Sequence, residues 1–146
     1  MRELPRKLTI DELSDLFEGR TRLVELLAEI DDPLEHANGV TDTLSEEDKV
    51  EALAAHPAIG QRTGLSTRSA AEQGEDVDPC VLVDLATLNA AYERKFGFRF
   101  VVFVNRRPKA EILGVLRERI DNPTADELET ALGELVAIAV DRWRRG

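Results

Sequence analysis

Apolar residues recur every three or four positions along most of the chain, the spacing that places side chains on one face of an α-helix. The first such stretch begins at the capping box Thr9–Glu12 and ends at Gly19. Ser45 and the pair Asp78-Pro79 are further residues of the kind that begins helices. The apolar faces predicted in this way are Leu13, Leu16 and Phe17; Leu23, Leu26, Leu27 and Ile30; Val50, Leu53 and Ala54; Leu82, Leu85, Leu88, Tyr92 and Phe96; Ile112, Leu113, Leu116 and Ile120; and Leu128, Leu132, Leu135, Val136 and Ala139.

Two features complete the helical pattern. Pro108 opens the helix before Asn122-Pro123, and Thr124–Glu127 is interpreted as a capping box for the last helix. By contrast, Pro33–Gly39 contains a proline, a glycine and mostly polar residues, so we predict a turn there.

The segment Phe98–Val104 departs from the helical pattern, because its residues are almost all β-branched or aromatic. Local propensity favours a strand. No second convincing strand is present to pair with it, and an unpaired strand leaves its backbone groups unsatisfied. We therefore expect a buried extended segment, or the start of a helix imposed by tertiary packing.

Length and composition add few constraints. At 146 residues with 42% hydrophobic content, the chain fits one ordinary globular domain with a real core. We predict a single all-α domain over residues 1–146, built as a bundle of about seven helices with one buried extended segment.

Charge and residue counts argue against several classes of function. A net charge of -10 argues against general nucleic-acid binding. No apolar run approaches the roughly 18 residues of a membrane span, and Met1–Pro5 leads into no signal-peptide core, so no membrane partner and a cytoplasmic location are expected. Two histidines without a carboxylate at ligand spacing predict no transition-metal site, and the single Cys80 is expected to fill the core.

His56 is the first candidate for chemistry. Pro57 pushes the residue before it out of the α region, so His56 is expected where a helix breaks, on a rigid corner completed by Gly60. An imidazole titrates near neutral pH and is suited to proton transfer. A histidine before a proline is, however, more often only the end of a helix.

A second candidate lies thirteen residues further on. A short helix beginning at Ser66 or Thr67 would hold Ser69, Glu72 and Gln73 at i, i+3 and i+4, hence on one face. Such a face offers an acceptor in Glu72 and both a donor and an acceptor in Gln73. A solvated helix face with no site explains the same pattern.

Four motifs in one order resemble the OHCU decarboxylases (2-oxo-4-hydroxy-4-carboxy-5-ureidoimidazoline decarboxylases) of uric acid degradation. They are His56–Gly60, Ser69-x-x-Glu72-Gln73, Leu88-Asn89-x-x-Tyr92 continuing into Lys95–Phe98, and Glu111–Leu113 before Arg119 and Asn122. The resemblance covers nearly the whole chain. It implies an all-helical enzyme, often a homodimer, that acts on a small-molecule substrate without metal or organic cofactor and yields (S)-allantoin.

The resemblance also assigns residues. It makes His56 the proton donor and Glu72 a residue that lines the substrate pocket. Because a carboxylate can hold an imidazole in its charged form at neutral pH, we predict Glu72 as the second catalytic residue. The substrate-binding positions that the resemblance implies are Pro57, Ser69, Gln73, the backbone of Phe100, Val101, Val102, Phe103 and Val104, and Arg142, whose guanidinium can grip a carboxylate.

Other interpretations stay open at this point. Substitutions around Gly74 and Arg107 would permit a paralogue acting on another small, amide-rich acid. A helical interaction module, with His56 only as a helix stop, would need no pocket. Asn89 and Tyr92 are expected to make structural hydrogen bonds. Arg99, between Phe98 and Phe100, is either a surface residue or a cation of the pocket.

Overall fold

Seven helices account for most of the residues that the structure, a computed structural model, describes, namely 3–59 and 78–146. No strand occurs within those ranges, which confirms the all-α prediction. In chain order the helices are α1 (Ile10–Phe17), α2 (Arg22–Leu27), α3 (Pro33–Thr43), α4 (Glu46–Ala54), α5 (Pro79–Phe96), α6 (Lys109–Arg119) and α7 (Thr124–Arg145).

The longest helix, α7, is the centre of the packing. Its 22 residues span roughly 33 Å at 1.5 Å per residue. It packs against α1, α3 and α4, while α5 packs against α6. The buried apolar side chains of the described residues form one hydrophobic core. No helix in the described ranges combines the length and the hydropathy needed to cross a membrane.

The predicted start of α1 is confirmed, but its end is not where the sequence placed it. The Thr9 hydroxyl accepts from the Glu12 N–H and the Glu12 carboxylate accepts from the Thr9 N–H, which is a complete capping box. At the other end it is Glu18, with φ of 67°, that takes the left-handed position expected for Gly19. A non-glycine residue in this conformation carries backbone strain.

The turn predicted at Pro33–Gly39 is wrong, because α3 runs through it. Pro33 occupies the first turn of the helix, where its missing N–H costs nothing. Leu34, Ala37 and Thr41 are buried at spacings of three and four. Because Ala37 is small and Thr41 is polar, the apolar periodicity of this helix is weak in the sequence.

Three smaller expectations also fail. Thr124 does not cap α7: Pro123 is the N-cap, and the Glu127 side chain turns into the core instead of back to the helix start. Ala52, not Ala54, joins Leu53 on the buried face of α4. Cys80 is exposed, since the first turn of α5 lies at the surface.

The segment Phe98–Val104 is buried and forms neither helix nor strand, so the expectation of a buried extended segment is confirmed over that of a helix start. Phe100 and Val101 are each 1% exposed. Tyr92 packs edge-on against the rings of Phe98 and Phe100, which fixes the segment against α5.

Candidate active site

His56 lies immediately after α4, as Pro57 predicted. Ser45 begins this helix by accepting from the Asp48 N–H at 3.1 Å. At the end of the helix, the His56 N–H donates to the Leu53 carbonyl at 3.1 Å. The side chain is buried, with 9% of the residue exposed, and its Nδ1 atom makes no hydrogen bond in the described part of the chain. Buried polar atoms are normally paired, so this nitrogen is free for a ligand.

The surroundings of His56 disfavour its charged form. Burial and the positive charge of Arg142 lower the pKa of His56 from 6.5 to about 4. The carboxylate of Glu18 acts in the opposite direction, and Arg99 adds a smaller lowering effect. In the substrate-free protein these surroundings therefore favour the neutral imidazole at pH 7. Glu72, which we expect to favour the charged form, lies outside the described residues.

Arg142 is the buried partner of the α1 terminus. It is 1% exposed, and its Nη1 atom donates to the Leu16 carbonyl and to the Glu18 carboxylate, both at 3.0 Å. The two contacts satisfy the negative end of α1 and hold the guanidinium in one place. Arg142 thus acts on His56 through its charge from a fixed position, with a carboxylate beside it.

The ends of α1 and α4 meet next to this pair. A Cβ atom added to Gly19 would lie 3.3 Å from the Cβ of Ala55, so only a small residue fits there. The backbone N–H of Arg22 also donates to Glu51 of α4 at 2.8 Å. Close packing of the two helix ends brings Glu18 near His56.

The segment Phe98–Val104 offers unpaired peptide groups beside this region. Arg119 donates to the Val101 carbonyl at 2.8 Å, and Arg107 donates to the carbonyls of Phe103 and Val104. The N–H of Val101, and both the N–H and the carbonyl of Val102, make no hydrogen bond within residues 3–59 and 78–146. Since Val102 is only 6% exposed, these groups suit a bound polar ligand.

A buried network fixes the segment from the other side. Glu127 is fully buried and accepts from Tyr92, from Arg119 at 2.8 Å and from Asn122 at 3.2 Å. Arg119 also stacks over the Phe100 ring at 4.6 Å from its centroid. Burial and the neighbouring Glu127 carboxylate raise the pKa of Tyr92. The structural hydrogen bond expected of Tyr92 is confirmed.

Of the residues predicted for the site, Arg142 acts on the His56 imidazole through its charge, and half-buried Pro57 follows His56 in the chain. Phe100–Val104 follow Arg99, whose side chain donates to the His56 carbonyl. Ser69, Glu72 and Gln73 lie outside the described residues. No group of three or more potential metal ligands occurs in the described ranges.

Comparison with known proteins identifies the family. The sequence model of the OHCU decarboxylase family matches residues 2–144. The chain belongs to this family.

Individual relatives agree with the assignment. A 2-oxo-4-hydroxy-4-carboxy-5-ureidoimidazoline decarboxylase of Halalkalicoccus jeotgali is 36% identical over 110 residues, which cover 73% of this chain and 62% of that protein. One from Haloferax volcanii is 28% identical over 140 residues, covering 89% and 83% of the two chains. The crystal structure of an OHCU decarboxylase in the presence of (S)-allantoin superposes with a TM-score of 0.73 at 26% identity, covering 90% of this chain and 94% of that one.

Glu18 is the residue near His56 that sequence reasoning missed. It lies at the end of an ordinary amphipathic helix, and Gly19, the next residue, was predicted to end that helix instead. Its strained backbone and its ion pair with Arg142 appear only when positions 18 and 142 come together in the fold. No sequence signal of spacing connects residues so far apart.

Proposed function

We propose that this protein decarboxylates OHCU to (S)-allantoin without a cofactor, with His56 as the proton donor. The observation that carries the proposal is the buried imidazole on a fixed corner, whose Nδ1 atom has no partner in the described part of the chain. Membership of the OHCU decarboxylase family supports the choice of substrate.

The reaction needs a proton at one carbon. Loss of CO2 from C4 leaves an electron pair that moves toward C5, and the ring nitrogen double-bonded to C5 takes up a proton, which gives an enol. C5, the carbon that carries the ureido group, must then be protonated from one face to give a single stereoisomer, while the C4 hydroxyl loses its proton and becomes a carbonyl. The reaction therefore takes up one proton overall. A positioned general acid supplies this step, and donors aimed at the developing oxyanion stabilise the transition state.

The low pKa of His56 implies that its ring becomes protonated only when the substrate binds. The neutral imidazole of the free protein has no acidic proton to give at pH 7. A substrate carboxylate bound close to the ring supplies a negative charge that offsets burial and the two arginines, so the pKa of His56 rises on binding. The imidazolium then forms where the proton is needed.

The remaining roles follow from residue chemistry and the family resemblance. Arg142 contributes positive charge toward the substrate carboxylate, and Pro57 shapes the wall beside the imidazole. The unpaired peptide groups at Val101 and Val102 bind the polar edges of the ligand. Ser69 and Gln73 are proposed to bind the ureido group, and Glu72 to favour the charged form of His56.

Replacement of His56 tests the proposal. The His56→Asn variant is expected to lose about a hundredfold to ten-thousandfold in kcat, the range that general acid catalysis supplies. Freshly generated OHCU would be added to pure protein, and formation of (S)-allantoin followed by circular dichroism. His56 has a matched control in His36→Asn, because His36 is exposed and lies in α3.

Two outcomes would count against the proposal. Retention of more than about a tenth of wild-type kcat by folded His56→Asn would exclude His56 as the acid, given the scale of that effect. Wild-type protein that does not accelerate the reaction would favour another small, amide-rich acid as substrate, or an interaction module.

A further inference from the structure

Arg99 is the one charged residue within the segment Phe98–Val104, and its side chain reaches the end of α4. The flanking Phe98 and Phe100 are buried, whereas the Arg99 side chain is 27% exposed. Its Nη1 atom donates to the His56 carbonyl at 2.7 Å and lies 3.4 Å from the Ala54 carbonyl. The guanidinium of Arg99 is therefore neither free at the surface nor unbound within a pocket, because it binds backbone carbonyls at the end of α4.

These two contacts fall on atoms that the helix leaves unsatisfied. The last carbonyls of a helix have no intrahelical donor and carry its partial negative charge. Pro57 has no N–H group, so the corner after His56 gains no hydrogen bond from the proline nitrogen. With the His56 N–H bound to Leu53 and the carbonyl bound to Arg99, both polar groups of the His56 backbone are held.

The other side of Arg99 faces α5 in a long ion pair. Its Nε atom lies 3.7 Å from a carboxylate oxygen of Glu93 and makes no hydrogen bond within the described ranges, while the second oxygen of Glu93 accepts from the Asn89 amide at 3.3 Å. Asn89 and Glu93 are four residues apart and share one helix face. Asn89 is 8% exposed, so the chain of contacts begins inside the core and ends at the His56 backbone.

We propose that Arg99, which forms a long ion pair with Glu93, is a positioning residue for His56. It fixes the peptide of the histidine between α4 and α5, and so sets where the imidazole points without touching the substrate. The inference rests on the proposed role of His56 in decarboxylation.

The charges around His56 make the role measurable without substrate. Arg142 and Glu18 act on the imidazole from α7 and the end of α1, and Arg99 acts from the segment Phe98–Val104, with Glu93 beside it on α5. Removing the Arg99 charge takes away one cause of the low pKa of His56. Replacing arginine by lysine keeps the charge but loses the forked geometry.

The experiment compares Arg99→Gln and Arg99→Lys, with Arg94→Gln as the matched control, since Arg94 is exposed in the last turn of α5. Steady-state kinetics would separate kcat from KM. Imidazole NMR titration would follow His56, and the chain's other histidine, His36, would serve as an internal reference. Circular dichroism and thermal melting would verify folding.

For Arg99→Gln we expect kcat to fall about tenfold to a hundredfold, the effect of a misplacement of about 1 Å, with KM changed by less than about threefold. The pKa of His56 measured by NMR in this variant is expected to be higher than in wild type. Arg99→Lys is expected to keep the wild-type titration and to recover part of kcat. Arg94→Gln should match wild type in both measurements.

A folded Arg99→Gln with wild-type kcat and an unchanged His56 titration would overturn the proposal. A loss of thermal stability without either change would do the same, because it would indicate a purely structural contact. If Arg99→Gln does not fold, Glu93→Gln replaces it. A loss of kcat in Glu93→Gln without a rise in the pKa of His56 supports positioning, and a wild-type kcat refutes it. If wild-type protein proves inactive on OHCU, the proposed function fails, and an unchanged His56 signal in Arg99→Gln still decides against positioning.

Discussion

His56 combines deep burial with an ionisable ring, and the protein offsets only part of the resulting cost. The nearby Glu18 carboxylate favours the imidazolium, but burial and two arginines outweigh it. Glu18 itself is kept in a strained backbone conformation and paired with Arg142. Such strain is common where a side chain must be held at a functional position.

This burial predicts how stability depends on pH. The pKa of His56 is about 4 in the folded protein and about 6.5 when the chain unfolds, so between these values the unfolded state binds the extra proton. Stability is fully present above about pH 6.5 and is lost as the pH falls toward 4, by about 2 kcal/mol from this group between pH 7 and pH 5. Urea unfolding at the two pH values would measure it.

The control for this effect is the same pair of asparagine variants. His56→Asn should lose this component of the pH dependence, while His36→Asn should keep it because His36 is exposed. An identical drop in stability between pH 7 and pH 5 in wild type and His56→Asn would show that His56 ionises normally.

Local sequence rules located His56 but not its electrostatic surroundings. Pro57 dictates a helix end by a steric clash with the residue before it, so the position of His56 was predictable. The pKa was not, because it depends on burial and on Arg142, which reaches the α1 terminus from 126 residues away along the chain. The Ser69–Gln73 face stays a prediction.

Among elements, the junction of α6 and α7 depends on one buried ion pair. Arg119 and Glu127 are 8% and 0% exposed, and Glu127 also serves Tyr92 of α5. The sequence placed Glu127 in a capping box because a threonine precedes it by three residues. Without Glu127, buried Arg119 and Tyr92 would lack this hydrogen-bond acceptor. The Glu127 carboxylate therefore pairs with them in the core and does not cap the start of α7.

Removing Glu127 should therefore be costly. Glu127→Ala leaves Arg119 buried without its counter-charge, and we expect a loss of about 3–5 kcal/mol in the free energy of unfolding. Glu129→Ala, on the exposed side of the same helix, is the control and should change stability by no more than about 0.5 kcal/mol. Urea denaturation would measure both, and equal values would contradict a stabilising pair at this junction.

Two glycines predict opposite effects of alanine. Gly114 lies inside α6 with no atom within 4 Å of an added Cβ, so Gly114→Ala should stabilise the protein by about 0.5–1 kcal/mol. Gly97 also has open space, but its φ is 80°, so Gly97→Ala should cost about 1–2 kcal/mol in backbone strain. Thermal melting of the two variants would check the sign of each change, and the same sign for both would refute this account.

Helices with clear start signals were predictable, since capping residues and apolar spacing act within a few residues. α1, α4 and α5 begin where Thr9, Ser45 and Asp78 indicated. α3 was missed because its buried face uses small and polar residues, whose helical role depends on α2 and α7 packing against them.

For the whole molecule, acidic residues outnumber basic ones. The chain has 29 acidic and 19 basic residues, and a net charge of -10 repels an anionic substrate at long range. Several ion pairs, such as Lys7–Asp31, are exposed and contribute little. Arg142 and Arg99 both act on His56 with positive charge, and each has a carboxylate beside it, Glu18 and Glu93 respectively.

The whole-molecule prediction concerns metal. Full decarboxylase activity is expected after exhaustive dialysis against EDTA, because two histidines and one cysteine give the chain few of the ligands that transition metals prefer. Activity would be measured before and after dialysis, and loss that a divalent ion restores would refute it. The homodimer and the cytoplasmic location also stay predictions; light scattering of the purified protein would decide the first.

The unpaired peptide groups at Val101 and Val102 have a consequence for solvent exchange. Amide hydrogens usually resist deuterium through hydrogen bonds that must open first. In this segment those bonds are missing within the described residues, so burial alone slows exchange at the two amides. A ligand that accepts from these N–H groups would supply the missing bonds, and the deuterium uptake of two valines would then report the occupancy of the site without any turnover.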